Sequence, residues 1–395
     1  MLQLSGKHSA VRWILILGVM AGLVHCKDST STGSEEQATY LADYEKPADL
    51  WGFIDKQGRV AIDPVFDAVE PFSEHLAAVN QEGKWGFINL QGKMVILPQY
   101  RSAWSFHGNR ARVKPFDQPD QYIEPSGKPI PAKGWIAADD FCEGLAKVRA
   151  GQLFGYIDSS GTMVIPPLYA RAWNFNLGTA MVELDNKFGL IDRDGHYILD
   201  PRYDKIKRSA DPELFICTLE HSSILVSATG EEKLRLENQN ILESDGNLAI
   251  VKSGDKNWIY HLAHKRLLTN SGYDHIQYLG EHRWAVKNPD GYHLLDAEGV
   301  QLTQEYCGQI NAFHDGLTVY SRDGNWGYMQ TDGKELGPPQ FGLAWDFREG
   351  LARAAFQEGI AFITPQMEIA FYPPPGVMDM RDFSEGLAPV QIQRR

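Results

Sequence analysis

The sequence predicts an all-β protein built as a tandem array of about ten 34-residue units, each a three-stranded antiparallel meander. Three observations carry this expectation. Residues 85–92 read WGFINLQG, and 34 positions earlier the chain reads WGFIDKQG. Thirty-seven glycines and 21 prolines are scattered singly among short apolar runs, the punctuation of many turns between short strands. With 43% hydrophobic and 11% aromatic residues over 395 positions, the chain can bury a sizeable core.

The first element is not part of that array. Lys7, His8 and Arg12 precede an unbroken apolar or glycine run from Trp13 to Val24. That run is shorter than the roughly 20 residues a membrane-spanning helix needs and is sized for the core of an export signal over residues 1–25. Its end, Leu23-Val24-His25-Cys26, resembles a bacterial lipobox, with Leu at −3, a small aliphatic at −2 and a cysteine to accept diacylglycerol; His25 departs from the usual small residue at −1. The resemblance implies lipidation at Cys26 and a lipid-anchored place in the bacterial envelope, on the outer membrane or cell surface, with a secreted protein as the alternative. Residues 26–50, which include KDSTSTGSEEQ, read as a polar tether. Cys142, Cys217 and Cys307 remain, an odd and widely spaced set that implies small buried hydrophobes and no disulfide framework.

The array is expected over residues 51–395. Counting from Trp51, equivalent positions fall at Trp85, Asp120, Phe154, Phe188, Ser223, Asn257, Tyr292, Trp326 and Ile360. Two residues on, every unit has an apolar or aromatic residue, from Phe53 and Phe87 to Tyr328 and Phe362. Seven residues on, glycine stands in eight units, at 58, 92, 127, 161, 195, 230, 299 and 333. A 34-residue period also belongs to helical repeats. The runs GFID, MVIP and GLAKV are too short, too β-branched and too often broken by Gly or Pro for helices. Between the first two strands lies Asp-x-x-Gly, as in DKQG and DSSG, where Asp caps the turn and Gly supplies the positive φ that closes it. A third strand follows a longer connection, as in FCEGLAKV and FSEGLAPV. One meander cannot bury its apolar face alone, so units stack. Trp51, Trp85 and Trp326 are expected to supply the buried surface, with Gly52, Gly86 and Gly327 leaving room for a neighbour.

The segments GKWGFINLQGKMVILPQY and DFCEGLAKVRAGQLFGYIDSSGTMVIPPLY closely resemble the WG-repeat, or KWG-repeat, family of bacterial proteins. The resemblance spans residues 51–395 and weakens over 206–312, where the Trp-Gly pair is absent and the units are degenerate. It implies a β-repeat module with no shared catalytic activity or cofactor. The chain enters its first unit at the Trp-Gly strand and stops after the strand that normally precedes one, so a closed propeller-like ring could pair the two. Because 34 residues is short beside the roughly 40 or more of four-stranded blades, an open, gently curved array is the expectation and the ring its alternative.

Charge and motifs narrow the function. The formal charge is −13, and outside residues 1–25 there are 36 cations against 51 carboxylates, which disfavours nucleic acid as a partner. No phosphate-binding glycine loop, nucleophile elbow or Cys-x-x-Cys pair is present, so no catalytic residue and no cofactor is assigned. The acidic sets Asp139, Asp140, Glu143 and Asp379, Asp382, Glu385 recur at fixed offsets and read as turn and cap residues. His261 and His264 occupy the Asp and Gly positions of one hairpin, with His275, His282 and His293 nearby. Histidine tolerates a left-handed turn, so they read as a degenerate turn and not as a metal site. Trp104, Trp173 and Trp345 share offset 19, where other units carry Glu70, Asp139, Lys207, Asn311 or Asp379. Such a position is expected to face solvent, making the three tryptophans candidate ligand contacts, the first pair two units apart and the third five units farther. The sequence thus predicts a non-enzymatic, membrane-tethered lipoprotein binding a protein or envelope glycan. A structural spacer and, more remotely, an exported propeller-type enzyme are the alternatives.

Overall fold

The computed structural model describes residues 44–393 apart from 46 and 270; Cys26, the expected signal segment 1–25 and most of the expected tether lie outside the described residues. Among the described residues there is no helix, and the strands form ten antiparallel sheets of three or four strands. Blade 2 shows the plan: Ala68–Val69, Leu76–Gln81, Lys84–Asn89 and Met94–Tyr100 pair in chain order. Blades 3 to 10 follow over residues 102–123, 136–169, 171–203, 205–237, 240–267, 275–295, 309–330 and 352–371.

Blade 1 is made from both ends of the fold. Its order is Val60–Phe66, Asp49–Asp55, Leu387–Gln393, Val377–Met380, and the two middle strands pair residue for residue from Asp49↔Gln393 to Asp55↔Leu387. The array is therefore a closed ring, and the expectation of an open array is overturned. The length argument fails because the fourth strand costs few residues. Ala68–Val69, Ser102–Ala103 and Arg171–Ala172 each start almost where the preceding strand ends, and two residues suffice to pair. Six of the ten sheets have four strands where three were expected, while the sheet of Ser102–Ala103 has three.

The core is divided into ten apolar clusters, one between each neighbouring pair of blades, including the pair that closes the ring. The closing cluster sets Ile54 and Val390 of blade 1 against Phe362 of blade 10. The residue two after the unit start is buried in every unit, aromatic in six and aliphatic in four: Phe53, Phe87, Tyr122 and Tyr156 are 0% exposed. Phe53 meets Phe72, and Phe87 meets Phe106 of the next blade, with ring centroids 4.9 Å apart. Trp51 is buried, but Trp85 and Trp326 are only half-buried, so the principal core position is the one after the Trp-Gly pair.

The Gly of the pair has a steric role. A Cβ at Gly86 would lie 2.5 Å from the Ile96 carbonyl oxygen, because the blade's own fourth strand bulges towards it. The pairing steps from Trp85↔Tyr100 to Phe87↔Ile96, and Pro98 sits inside the bulge, where its missing N–H is not needed. The Asp-x-x-Gly hairpin forms as expected: Asp158 Oδ1 accepts from Ser160 N and Thr162 N, both at 2.9 Å, and Gly161 has φ 82°. The Ser160 hydroxyl and these amides hold the Asp158 carboxyl below the usual range.

Two measurements test this arrangement. Cα partners in antiparallel strands lie about 4.5–5.5 Å apart, within disulfide reach, so an Asp49→Cys/Gln393→Cys variant should cross-link. The readout is a reductant-sensitive mobility shift on a denaturing gel, and its absence would mean that the ends do not meet. Phe87→Ala should cost about 3–5 kcal/mol, and Trp85→Ala distinctly less. Equal melting shifts for the two would contradict the assignment of the deep position.

Candidate binding surface

The first strands are where neighbouring blades come within hydrogen-bonding distance. Lys147 Nζ donates to Ala172 O of the next blade at 3.1 Å, Arg353 Nη1 to Met380 O at 2.6 Å and Arg381 Nη1 to Val69 O at 2.9 Å. In a ring the blades converge at their inner ends, so these strands line the centre. The fourth strands form the rim, exposing Val95, Leu97, Val164 and Leu168.

In seven blades the inner strand ends in a buried phenylalanine and a tight two-residue turn, F-x-E-G in blades 1, 4 and 10 and F-x-E-H in blade 2, and several of these turns are linked along one face. Glu74, Glu143, Glu349 and Glu385 all adopt positive φ, between 51° and 53°, which side chains other than glycine rarely do. Their carboxylates bond the turn of the following blade. Glu74 accepts from Gly108 N and Asn109 N at 2.7 and 2.8 Å, and Glu349 from Glu385 N and Gly386 N at 2.7 and 3.0 Å. Glu385 accepts from His75 N at 2.8 Å, carrying the chain of bonds across the closure. Of the acidic sets expected to be turn and cap residues, Glu143 and Glu385 thus cap the neighbouring blade's turn, not their own. Asp139 pairs with Lys147 at 3.1 Å and Asp382 with Arg353 at 2.7 Å, so these carboxylates serve structure.

Two residues before the buried phenylalanine of this turn lies the variable inner position. It holds Glu70, Trp104, Asp139, Trp173, Asn311, Trp345 and Arg381 before Phe72, Phe106, Phe141, Phe175, Phe313, Phe347 and Phe383. Arg381, not Asp379, is the blade 1 equivalent, since the last unit is two residues longer before the turn. The backbone here is anchored from behind: Tyr156 Oη donates to Trp173 O at 2.7 Å and Tyr328 Oη to Trp345 O at 2.9 Å, and Tyr122 Oη donates to Asp139 O. Burial raises all three phenol pKa values well above normal, keeping them neutral donors.

The three tryptophans are half-buried, not fully solvent-facing. The Arg112 guanidinium lies 3.8 Å from the Trp104 ring centre and that of Arg353 5.0 Å from Trp345, while Trp173 packs against Phe188 at 5.9 Å. These contacts fix the indoles and leave part of each accessible. The tryptophans do not form one cluster: Trp104 belongs to blade 3, Trp173 to blade 5 and Trp345 to blade 10. Ring closure nevertheless puts Trp345 three blades from Trp104 by the short way round. Arg112, Lys147 and Arg353 had not been singled out, although all stand 27 residues after a unit start, at Trp85, Asp120 and Trp326, so their common offset was a usable signal.

Two clefts adjoin this position. One of about 630 Å³ includes Gln277, Lys287, Tyr292, Asn311 and Asp346 across blades 8 to 10. Another of about 460 Å³ between blades 3 and 4 is lined by Lys114, Asp120, Lys147, Arg149 and Phe154. Cys142, Cys217 and Cys307 are unbridged; burial pushes the Cys217 thiol up to about 12 and that of Cys307 to about 11, so both are inert core residues, while Cys142 is half-buried. The reading of His264 as a left-handed turn residue does not hold: Lys265 has the positive φ, at 49°, and His264 does not.

Among solved structures, the chain is similar to a crystal structure of the eukaryotic initiation factor, with 9% identity over 87% of this chain and 98% of that one and a TM-score of 0.45. It is also similar to BamB from Moraxella catarrhalis, with 12% identity over 72% and 94% and a TM-score of 0.33. Hsv2p from Kluyveromyces lactis matches with 8% identity over 57% and 91% and a TM-score of 0.30. No curated protein matches the chain in sequence. Residues 51–85, 85–114, 154–188, 188–211 and 326–359 match the WG containing repeat. These segments fall on the blades that carry the Trp-Gly or Phe-Gly strand with its close-approach glycine, and they identify those blades as WG repeats.

Proposed function

We propose that this chain is a non-enzymatic binding scaffold, exported and tethered to a bacterial envelope membrane through lipid on Cys26, whose inner ring surface engages a partner protein. The observation that carries the reading is a division within each unit. Phe72 and its six equivalents are buried in the same way, while the residue two places earlier changes from acid to base to amide to tryptophan around the ring. A purely structural position would repeat like its neighbour. Aromatic and arginine side chains on a preorganised backbone are the usual anchors of protein interfaces. The mixture of Glu70, Asp139 and Arg381 with the indoles favours a protein over a glycan, whose rings would need few charges.

Pull-down from envelope fractions supplies the partner, and titration against Trp104→Ala, Trp173→Ala and Trp345→Ala locates the contact. A hot spot should lose about 2 kcal/mol or more at unchanged melting temperature. Lower melting with unchanged affinity per folded molecule would return the tryptophans to a structural role, and capture of polysaccharide alone would replace protein by glycan.

The tether is tested separately. Metabolic labelling with a radioactive fatty acid should mark the wild type and not Cys26→Ala; equal labelling removes the anchor.

A further inference from the structure

We propose that His261, His264 and Glu298 form a transition-metal site, best fitted to Zn²⁺, that staples blade 7 to blade 8. His261 and His264 lie at the hairpin joining Lys256–His261 to Arg266–Leu267, and Glu298 lies in the loop after Gly291–Leu295 of the next blade. One ligand atom from each residue falls within 4.8 Å of the other two. His261 is buried and its Nε2 stands 3.1 Å from Glu298 Oε2; the two imidazole centroids are 4.2 Å apart.

Turn formation does not account for His264, since the left-handed residue of this hairpin is Lys265. Nor does a cap, because no hydrogen bond from the His264 ring to protein occurs among the described residues. Four other units place Asp at the His261 position and eight place Gly at the His264 position, and here both are imidazole. Two imidazoles and a carboxylate are a borderline donor set that suits Zn²⁺ and leaves one coordination position for water. The edge of a zinc tetrahedron with bonds near 2.05 Å is about 3.4 Å, so the exposed His264 and Glu298 side chains need move by only about an ångström towards the fixed His261. The other mixed cluster, Asp192, Asp194 and His196, is explained by its turn, in which Asp192 Oδ1 already accepts from Asp194 N and His196 N.

The test uses tag-free full chain, stripped with chelator and titrated calorimetrically with ZnCl₂, in wild type, His264→Ala and Glu298→Gln. About one ion should bind per chain, each substitution should weaken binding about tenfold or more, and added Zn²⁺ should raise the melting temperature of the wild type alone. Co²⁺ should give the intense visible bands of a tetrahedral site in the wild type only. Both substituted side chains are exposed, so metal-free melting should stay at the wild-type value; if His264→Ala shifts it, Glu298→Gln alone decides. No binding up to millimolar Zn²⁺, or equal affinity in a His264→Ala/Glu298→Gln double variant, would leave only the His261–Glu298 hydrogen bond and overturn the proposal.

Discussion

The rest of the molecule depends on the pairing of Asp49–Asp55 with Leu387–Gln393. A stack of repeats buries each apolar face against a neighbour, so an open stack leaves two faces to cap. Here the last interface sets Phe362 of blade 10 against Ile54, Phe383 and Val390 of a blade made from both chain ends. No terminal face remains. The contacts that join other blades recur at the seam: Ser384 Oγ donates to Phe72 O as Ser73 Oγ does to Phe106 O, each at 2.7 Å. Lys56, at 3.2 Å from Glu349, ties the first hairpin to the last full blade. The ring therefore closes on ordinary inter-blade geometry.

That geometry also reconciles a local conflict. A glutamate in the left-handed region costs about 1 kcal/mol or more, yet the F-x-E-G turn uses one repeatedly. The conformation aims each carboxylate at the amides of the next turn, and bonds from a charged acceptor contribute about 1.5–3 kcal/mol each. The strain is offset only when a neighbouring blade is in place. Local preference and ring assembly are thus coupled, and the inner face becomes a rigid frame on which variable side chains are displayed.

Blades 6 to 8 show how the plan survives loss of its signature. Ser223 replaces the tryptophan, and its hydroxyl accepts from Ile241 N at 3.0 Å. In blade 8 the large indole moves to the second strand: Trp284 is almost fully buried, its Nε1 donates to the buried Asp245 at 2.9 Å, and Tyr278 packs on it at 4.8 Å. Blade 8 thus buries a large indole although the motif is absent. It is in this stretch, where turn residues are also replaced, that the His261, His264 and Glu298 cluster arises.

Sequence alone determined the all-β class, the ten units, the Asp-x-x-Gly hairpins and the type of repeat, because each rests on contacts within about a dozen residues that the 34-residue period repeats. It placed the deep core one step wrong, at Trp85 instead of Phe87, since residue size is visible in a sequence and orientation towards a neighbouring blade is not. It marked Trp104, Trp173 and Trp345 as sharing one offset, expected to face solvent, but missed their inner location and the Arg112 and Arg353 side chains that hold two of them, which come from a different strand. Only the tertiary structure decided between array and ring. Closure depends on the small rotation each blade adds to the last, summed over ten interfaces, and no single unit carries that sum. The same closure brings residues more than 300 positions apart, such as Glu385 and His75, into hydrogen-bonding distance.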